Sequence, residues 1–139
     1  MAFGPGKDGN FKLDNVTPTL TDISSYIDSI DFPEEVEMLE TSTMGNASKT
    51  YIAGLKSATV SLSGKFDGAA SAIDDLMNGI KGIAATQTFE YNPLGTAVGT
   101  PQYGGECRLA SYSSAPALGS AVTWSATLQI TGDVTRTTN

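Results

Sequence analysis

The chain has 139 residues and a formal net charge of −7, and it contains no histidine and a single cysteine. This length suits one domain with its own core, and one cysteine cannot form an internal disulfide. The missing histidines argue against zinc sites and Ser-His-Asp catalysis, and the excess of acid argues against free binding to nucleic acid, which needs basic patches.

The N-terminal third is predicted to be mostly extended. Residues 1–10 hold three glycines and a proline, which predicts a flexible arm. Residues 11–16 alternate and favour a short strand. Thr21 resembles a helix N-cap before apolar residues at helical spacing, which predicts one or two helical turns. Residues 29–39 are expected to be extended, with a bulge or a sheet edge at Pro33 because proline donates no ladder hydrogen bond.

A polar stretch over residues 41–48 has no hydrophobic period, and with a turn at Ala53-Gly54 it predicts a long loop over residues 40–54. Residues 58–66 then alternate strictly between apolar and polar side chains. A period of two indicates a strand with one buried face.

The clearest helix is predicted over residues 70–82. Ser71 and Asp74 resemble a capping box, and Gly82 follows the last turn. An apolar stripe at helical spacing predicts that one face packs on the core. The stripe consists of Ile73, Leu76, Met77 and Ile80.

Three strands are predicted after the helix, over residues 86–92, 106–113 and 121–131. The glycines and prolines of residues 92–105 predict a long loop. Trp124 is expected to anchor the core, and Cys107 to be buried as a small apolar group. Residues 135–139 are expected to be a loose C-terminal tail.

These elements predict one mainly β domain (α+β) over residues 11–134. Its expected architecture is an antiparallel β-sandwich or open barrel with one packed α-helix and one long loop. No apolar run is long enough to span a membrane, and the N-terminus lacks the apolar run of a signal peptide, so we expect synthesis in the cytoplasm and no membrane partner.

The acids between Asp28 and Glu40 form a dense cluster without an intervening base. A solvated face that keeps the protein soluble explains such a cluster, and so does a surface that repels a polyanion. No calcium-loop pattern is present, and the sequence favours no cofactor, metal or catalytic residue.

Four segments, taken in order, resemble the tail tube (major tail) proteins of bacteriophages with long non-contractile tails. One departure is Met44, where the family usually has an aromatic residue before Gly45. The resemblance covers residues 15–134. The four segments are Asp22–Ile27 (DISSYI), Thr41–Gly45 (TSTMG), Lys49–Lys56 (KTYIAGLK) and Thr59–Gly64 (TVSLSG) with the following Phe66-Asp67.

The resemblance implies a structural virion protein rather than an enzyme. Its copies would form rings, expected to be hexameric, that stack into a tube and conduct DNA during ejection without binding it specifically. Terminator, tape measure and tail-tip proteins would be its partners. The protein would be assembled in the host cytoplasm and reside in the virion tail.

Two sets of site residues follow from combining the resemblance with the alternation. The first alternates with apolar residues that are expected to face the core, namely Val36, Met38, Val60, Leu62, Trp124 and Leu128. Its members are therefore expected to face the lumen: Glu35, Glu37, Ser61, Ser63, Ser125, Thr127 and Gln129. The second is expected to lie in the 40–54 loop and to mediate ring stacking: Thr41, Thr43, Met44, Gly45, Tyr51 and Ile52.

A β-sandwich binding module is the alternative function. Such a module would bind carbohydrate or contact a tail tip or baseplate, and it normally presents exposed aromatic side chains on one face. The chain has eleven aromatic residues, and Trp124, Phe66 and Phe89 are expected in the core, which leaves few for such a face.

Overall fold

The computed structural model describes residues 4–139, which form eight strands and one α-helix. Two 3-10 turns, at Gly6–Asp8 and Ser24–Tyr26, accompany them. In chain order the elements are β1 (Asn10–Asp14), β2 (Leu20–Asp22), β3 (Ile27–Asp31), β4 (Glu34–Glu40), β5 (Tyr51–Lys65), α1 (Ile73–Ile80), β6 (Gln87–Asn92), β7 (Pro101–Ala115) and β8 (Thr123–Thr138).

All strand pairs are antiparallel, and the sheet runs in the order β2-β1-β6-β7-β8-β5-β3, with β4 also paired to β5. β3 pairs with the second half of β5, and β4 pairs with the first half. Pro33 separates β3 from β4, and its carbonyl accepts a hydrogen bond from the Thr59 N–H at 3.3 Å. The predicted mainly β, antiparallel architecture with one packed helix is confirmed.

The core fills the inner side of the curled sheet, where α1 covers it. The helix stripe is buried as predicted, and Trp124 is 1% exposed. The Trp124 indole N–H donates to the Tyr26 carbonyl at 2.9 Å, which satisfies the one polar group of this side chain. The largest other buried side chains are Phe11, Leu13, Ile23, Leu62, Ile73, Met77, Ile80, Phe89 and Leu128.

The helix is shorter than the predicted 70–82, and its start differs. Ser71 lies outside the helix with a φ of 61°, and Ala72 occupies the N-cap position. The predicted capping box between Ser71 and Asp74 is therefore wrong. Instead the Asp75 carboxylate accepts the Ser71 N–H at 3.0 Å. Gly82 adopts a φ of 74° just after the helix, as its predicted role requires.

The helical turns predicted from Thr21 are replaced by strand β2 and a single 3-10 turn. Thr21 pairs with Leu13 of β1. The Ile23 N–H donates to the Phe11 carbonyl at 3.1 Å, and the Phe11 N–H donates to the Ser24 hydroxyl at 2.8 Å. Residues 21–24 therefore form hydrogen bonds with β1 instead of the hydrogen bonds of a helix, and these tertiary contacts override the local helical pattern.

The segment predicted as a 40–54 loop is the end of a β-hairpin, and β4 and β5 take up its first residue and its last four. Ala53 and Gly54 lie inside β5, so the predicted turn there is wrong. Only residues 41–50 form the connection. A register shift opposite Glu37 absorbs one extra residue of β5 at this point.

The C-terminal end of the chain is more ordered than the sequence suggested. β8 continues to Thr138, and the Asn139 side chain donates to the Asn92 carboxamide oxygen at 3.0 Å, so the expectation of a loose 135–139 tail is not met. The predicted 92–105 loop shortens to residues 93–100. Residues 1–3 of the predicted N-terminal arm lie outside the described residues.

Candidate functional site

Four neighbouring strands, β3, β5, β8 and β7, present one continuous polar face to the outside of the sheet. Register places Ser63 opposite both Ser29 and Ser125, and Ser113 on the far side of Ser125. Because side chains alternate across a strand, these residues lie opposite the buried row of Val60, Leu62, Ala126 and Leu128. We call this surface the polar face. Its members are Ser29, Asp31, Thr59, Ser61, Ser63, Lys65, Glu106, Arg108, Ser111, Ser113, Thr123, Ser125, Thr127, Gln129 and Thr131.

Short hydroxyl side chains dominate the polar face. A second row, parallel to the serine row, joins Asp31, Ser61, Thr127 and Ser111 across the same four strands. The Ser113 and Ser125 hydroxyls hydrogen-bond each other at 2.9 Å. A plain solvated face would be expected to carry more lysine and glutamate, so this face is suited to a hydrated wall with few charges.

Two bases lie on the polar face, and each has a partner within the chain. Lys65 Nζ lies 3.0 Å from the Asp28 carboxylate. Arg108 Nη1 donates to the carbonyls of Ile83 and Ala84 at 3.3 Å and 2.8 Å. The Asp31 carboxylate lies on the same face.

The structure brings together five of the seven residues predicted to face a lumen. Ser61, Ser125 and Gln129 are exposed on the polar face, while Ser63 and Thr127 are half-buried there. Glu35 and Glu37 lie on β4 instead. Glu35 pairs with Ser57, whose side chain points to the same side of β5 as Thr59 and Ser61. The two glutamates therefore extend the polar face along the hairpin.

The β4–β5 hairpin projects from the sheet as an arm, which we define as residues 34–57. Every residue of β4 is exposed, including Val36 and Met38, which were expected to be buried. Seven of the eleven large hydrophobic side chains exposed among the described residues belong to this arm. They are Val36, Met38, Leu39, Met44, Tyr51, Ile52 and Leu55.

The exposed apolar side chains lie on both sides of the arm. Register pairs Leu39 with Ile52 on one side, and Met38 with Ala53 on the other. A hairpin that packed one side on its own core would alternate apolar with polar residues. An arm that is apolar on two sides has the pattern of a strand pair enclosed by other molecules.

The tip of the arm contains four of the six residues predicted to mediate stacking. Thr41, Thr43, Met44 and Gly45 lie in the connection, while Tyr51 and Ile52 belong to β5. The Thr41 N–H donates to the Thr50 carbonyl at 2.8 Å, and Gly45 adopts a φ of 97°. The tip is therefore a structured turn with a fully exposed methionine at its end.

Aromatic rings anchor the base of the arm. Phe32 lies just before β4, and its ring centroid is 5.8 Å from Phe89, 5.6 Å from Tyr91 and 5.8 Å from Tyr103. Burial raises the pKa of Tyr91 above its usual value. These contacts join the start of the arm to β6 and β7 on the other side of the core.

We expect Phe32→Ala to lower the free energy of unfolding by roughly 2–3 kcal/mol. A buried phenylalanine costs about 3–5 kcal/mol when truncated, and Phe32 is only partly buried. Urea denaturation followed by tryptophan fluorescence measures the change. Tyr103→Phe keeps the ring contact and is the matched control, expected to change stability by less than about 0.5 kcal/mol. Equal stability of the two variants would contradict the anchoring role.

Sequence reasoning missed the Asp28–Lys65 pair and four exposed apolar residues of the arm, Val36, Met38, Leu39 and Leu55. The pair depends on a register shift in β3, which no local pattern reveals. Val36 and Met38 were expected to face the core, because apolar residues are more often buried than not. Leu39 and Leu55 were given no role.

Other chemical features give no catalytic arrangement in the described part of the chain. Cys107 is buried, and burial raises the pKa of its thiol to about 12, so it is no nucleophile near neutral pH. No group of three or more potential ligand residues among residues 4–139 could hold a metal ion. The one helix within that range is too short and too polar to cross a bilayer.

No family model and no curated protein matches the chain. Solved structures do share its fold over nearly its whole length. A chain in the tail of an empty gene transfer agent particle with C6 symmetry gives a TM-score of 0.81 at 17% identity, covering 97% of this chain and 99% of that chain. A chain of the SPP1 tail tube gives 0.80 at 11% identity, covering 99% and 80%.

A chain from the extended sheath–tube complex of an extracellular contractile injection system, PVC, also matches. Its TM-score is 0.71 at 15% identity, with coverage of 99% of this chain and 93% of that chain. At such low identities the likeness establishes the fold. The chain has the fold found in phage tail tubes, as its sequence motifs suggested.

Proposed function

We propose that this protein is the major subunit of a phage-type tail tube. Its copies form rings, six to a ring, that stack into a tube, and DNA passes through the channel during ejection. In this assembly the polar face lines the channel and the arm joins neighbouring subunits. The protein acts as a structural element of the virion tail rather than as an enzyme.

The observation that carries the proposal is the arm, because it exposes apolar side chains on two sides. An isolated subunit gains nothing from such an arm, while a polymer encloses it between copies. The full-length likeness to chains of tails and tubes, one of them with C6 symmetry, supports the same arrangement.

The polar face supports the channel role. Its hydroxyl rows offer hydrogen bonds to water, and its two bases have partners within the chain: Lys65 pairs with Asp28, and Arg108 donates to two backbone carbonyls. DNA is held mainly through phosphate contacts with lysine and arginine. A wall of this kind therefore lets DNA pass without holding it. Glu35, Glu37, Ser61, Ser63, Ser125, Thr127 and Gln129 are proposed to face the channel.

A tube also needs partners at its ends and inside it. We propose a terminator at one end, a tail-tip complex at the other, and a tape measure protein that sets the length. Assembly takes place in the host cytoplasm. Thr41, Thr43, Met44, Gly45, Tyr51 and Ile52 are proposed to contact the next ring.

Electron microscopy of the purified protein tests the function directly. Concentrated protein is expected to form hollow tubes several nanometres wide, with six subunits in each ring. A stable monomer by light scattering at the same concentration would count against a tube subunit. Glycan binding by that monomer would instead favour a binding module. Such a module normally presents several exposed aromatic side chains, whereas Tyr51 is the one exposed aromatic side chain among residues 4–139.

Deleting residues 42–48 separates assembly from folding. These residues form the tip of the arm and contact no core side chain, so the shortened subunit should keep its far-ultraviolet circular dichroism and its unfolding midpoint. Tubes should no longer form. Replacing the same residues by a glycine-serine stretch of equal length controls for loop length, and normal tubes from the deletion would refute the stacking role.

A further inference from the structure

The bulge in β3 determines which groups lie next to Lys65. Ile27 pairs with Gly64 and Ser29 with Ser63, so Asp28 is an extra residue without a partner on β5. A bulge of this kind redirects the side chain of its extra residue. Here it places the Asp28 carboxylate 3.0 Å from the Lys65 ammonium at the end of the polar face.

We propose that Asp28 neutralises Lys65 so that the channel wall presents no free ammonium group to DNA phosphates. This inference rests on the proposed function, because it assigns a role to two residues of the proposed wall. Among the described residues of the polar face, Lys65 and Arg108 are the two bases, and Arg108 already donates to two backbone carbonyls.

Folding stability does not explain the pair. The Lys65 and Asp28 side chains are 62% and 54% exposed, and exposed ion pairs contribute little to stability. The effect of the pair on a passing polyanion is larger than its effect on folding, because every ring repeats the same position. Six free ammonium groups in a ring could contact six phosphates, and a protein with six to ten phosphate contacts loses about 10³–10⁵-fold in affinity between about 50 and 200 mM salt.

Asp28→Asn frees Lys65 and is expected to make tubes retain DNA. Assembled tubes are incubated with linear duplex at about 50 mM salt, treated with nuclease and washed, and the protected DNA is measured. We expect at least a tenfold rise over the parent, lost again at about 200 mM salt. Closed circular plasmid, which cannot thread into a tube, should show no rise.

Two matched variants isolate the freed lysine. Asp31→Asn removes the same charge from the same strand, but Asp31 forms no ion pair with the described residues, so DNA retention should stay at the parent level. Asp28→Asn combined with Lys65→Gln should return to that level as well. The proposal is overturned if Asp28→Asn behaves like the parent or if the double variant still retains DNA. It is also overturned if Asp31→Asn retains as much DNA as Asp28→Asn.

A second measurement needs no tube, and it therefore separates the neutralising role of Asp28 from the proposed tube function. The unassembled subunit is titrated with inorganic pyrophosphate while the Lys65 side-chain resonances are followed by NMR. They should shift in Asp28→Asn and stay fixed in the parent protein. Equal shifts in both would overturn the neutralising role even if tubes form, whereas the absence of tubes in every variant would overturn only the proposed function.

Discussion

Gly64→Ala should destabilise the subunit by about 3 kcal/mol and lower its melting temperature by about 10 °C. A β-carbon at this position would overlap the Tyr26 carbonyl oxygen, lie 2.7 Å from its carbonyl carbon and lie 2.8 Å from Ile27 Cα. All of these are backbone atoms, so no side-chain rotation relieves the clash. The Tyr26 carbonyl also accepts the Trp124 indole N–H, and a shift would weaken that bond.

Gly6→Ala is the matched control for this substitution. Gly6 has open space around its Cα and no positive φ, so alanine fits there without strain. Its melting temperature should remain within about 2 °C of the parent. Differential scanning calorimetry compares the two variants, and equal melting temperatures would show that β3 can move away from β5 at little cost.

Ile52→Asp should raise the protein concentration needed for tube formation on the order of 100-fold. Ile52 is 56% exposed in the subunit, so folding should change by less than about 0.5 kcal/mol. Between copies the new carboxylate would be buried without a partner. A penalty of about 3 kcal/mol corresponds to that concentration change.

Val98→Asp tests whether any added charge would have the same effect. Val98 is 95% exposed in the 93–100 loop and lies outside the arm. Sedimentation of tubes over a concentration series gives the critical concentration of each variant. The arm hypothesis fails if Ile52→Asp assembles like the parent, or if Val98→Asp impairs assembly equally.

The sequence predicted those elements whose burial shows in a regular period. Residues 58–66 and 121–131 alternate because one face meets the core, and the helix stripe repeats because α1 does the same. The polar side chains of the two strands point away from the core and form part of the polar face. Alternation therefore predicted which side of β5 and β8 the channel-facing candidates lie on, while the channel itself came from the resemblance.

The arm could not be predicted because its apolar residues do not pack within the subunit. Val36 and Met38 resemble core residues in sequence, yet both are exposed in the structure.

The first residues of β7 were also not predicted to be part of a strand. Gly105 there approaches the Asp133 carbonyl so closely that a β-carbon would lie 2.9 Å from that oxygen, and glycines of this kind are indistinguishable in sequence from loop glycines.

The acids of β4 have a consequence for the subunit before it assembles. β4 pairs with β5 on one side, and its other edge has backbone groups that could template pairing with a second β4. Its sequence, EEVEMLE, would place glutamates close to glutamates in any such pairing. Repulsion between like charges therefore disfavours fibrous aggregation of free subunits, and it would protect the apolar arm until the proposed assembly encloses it.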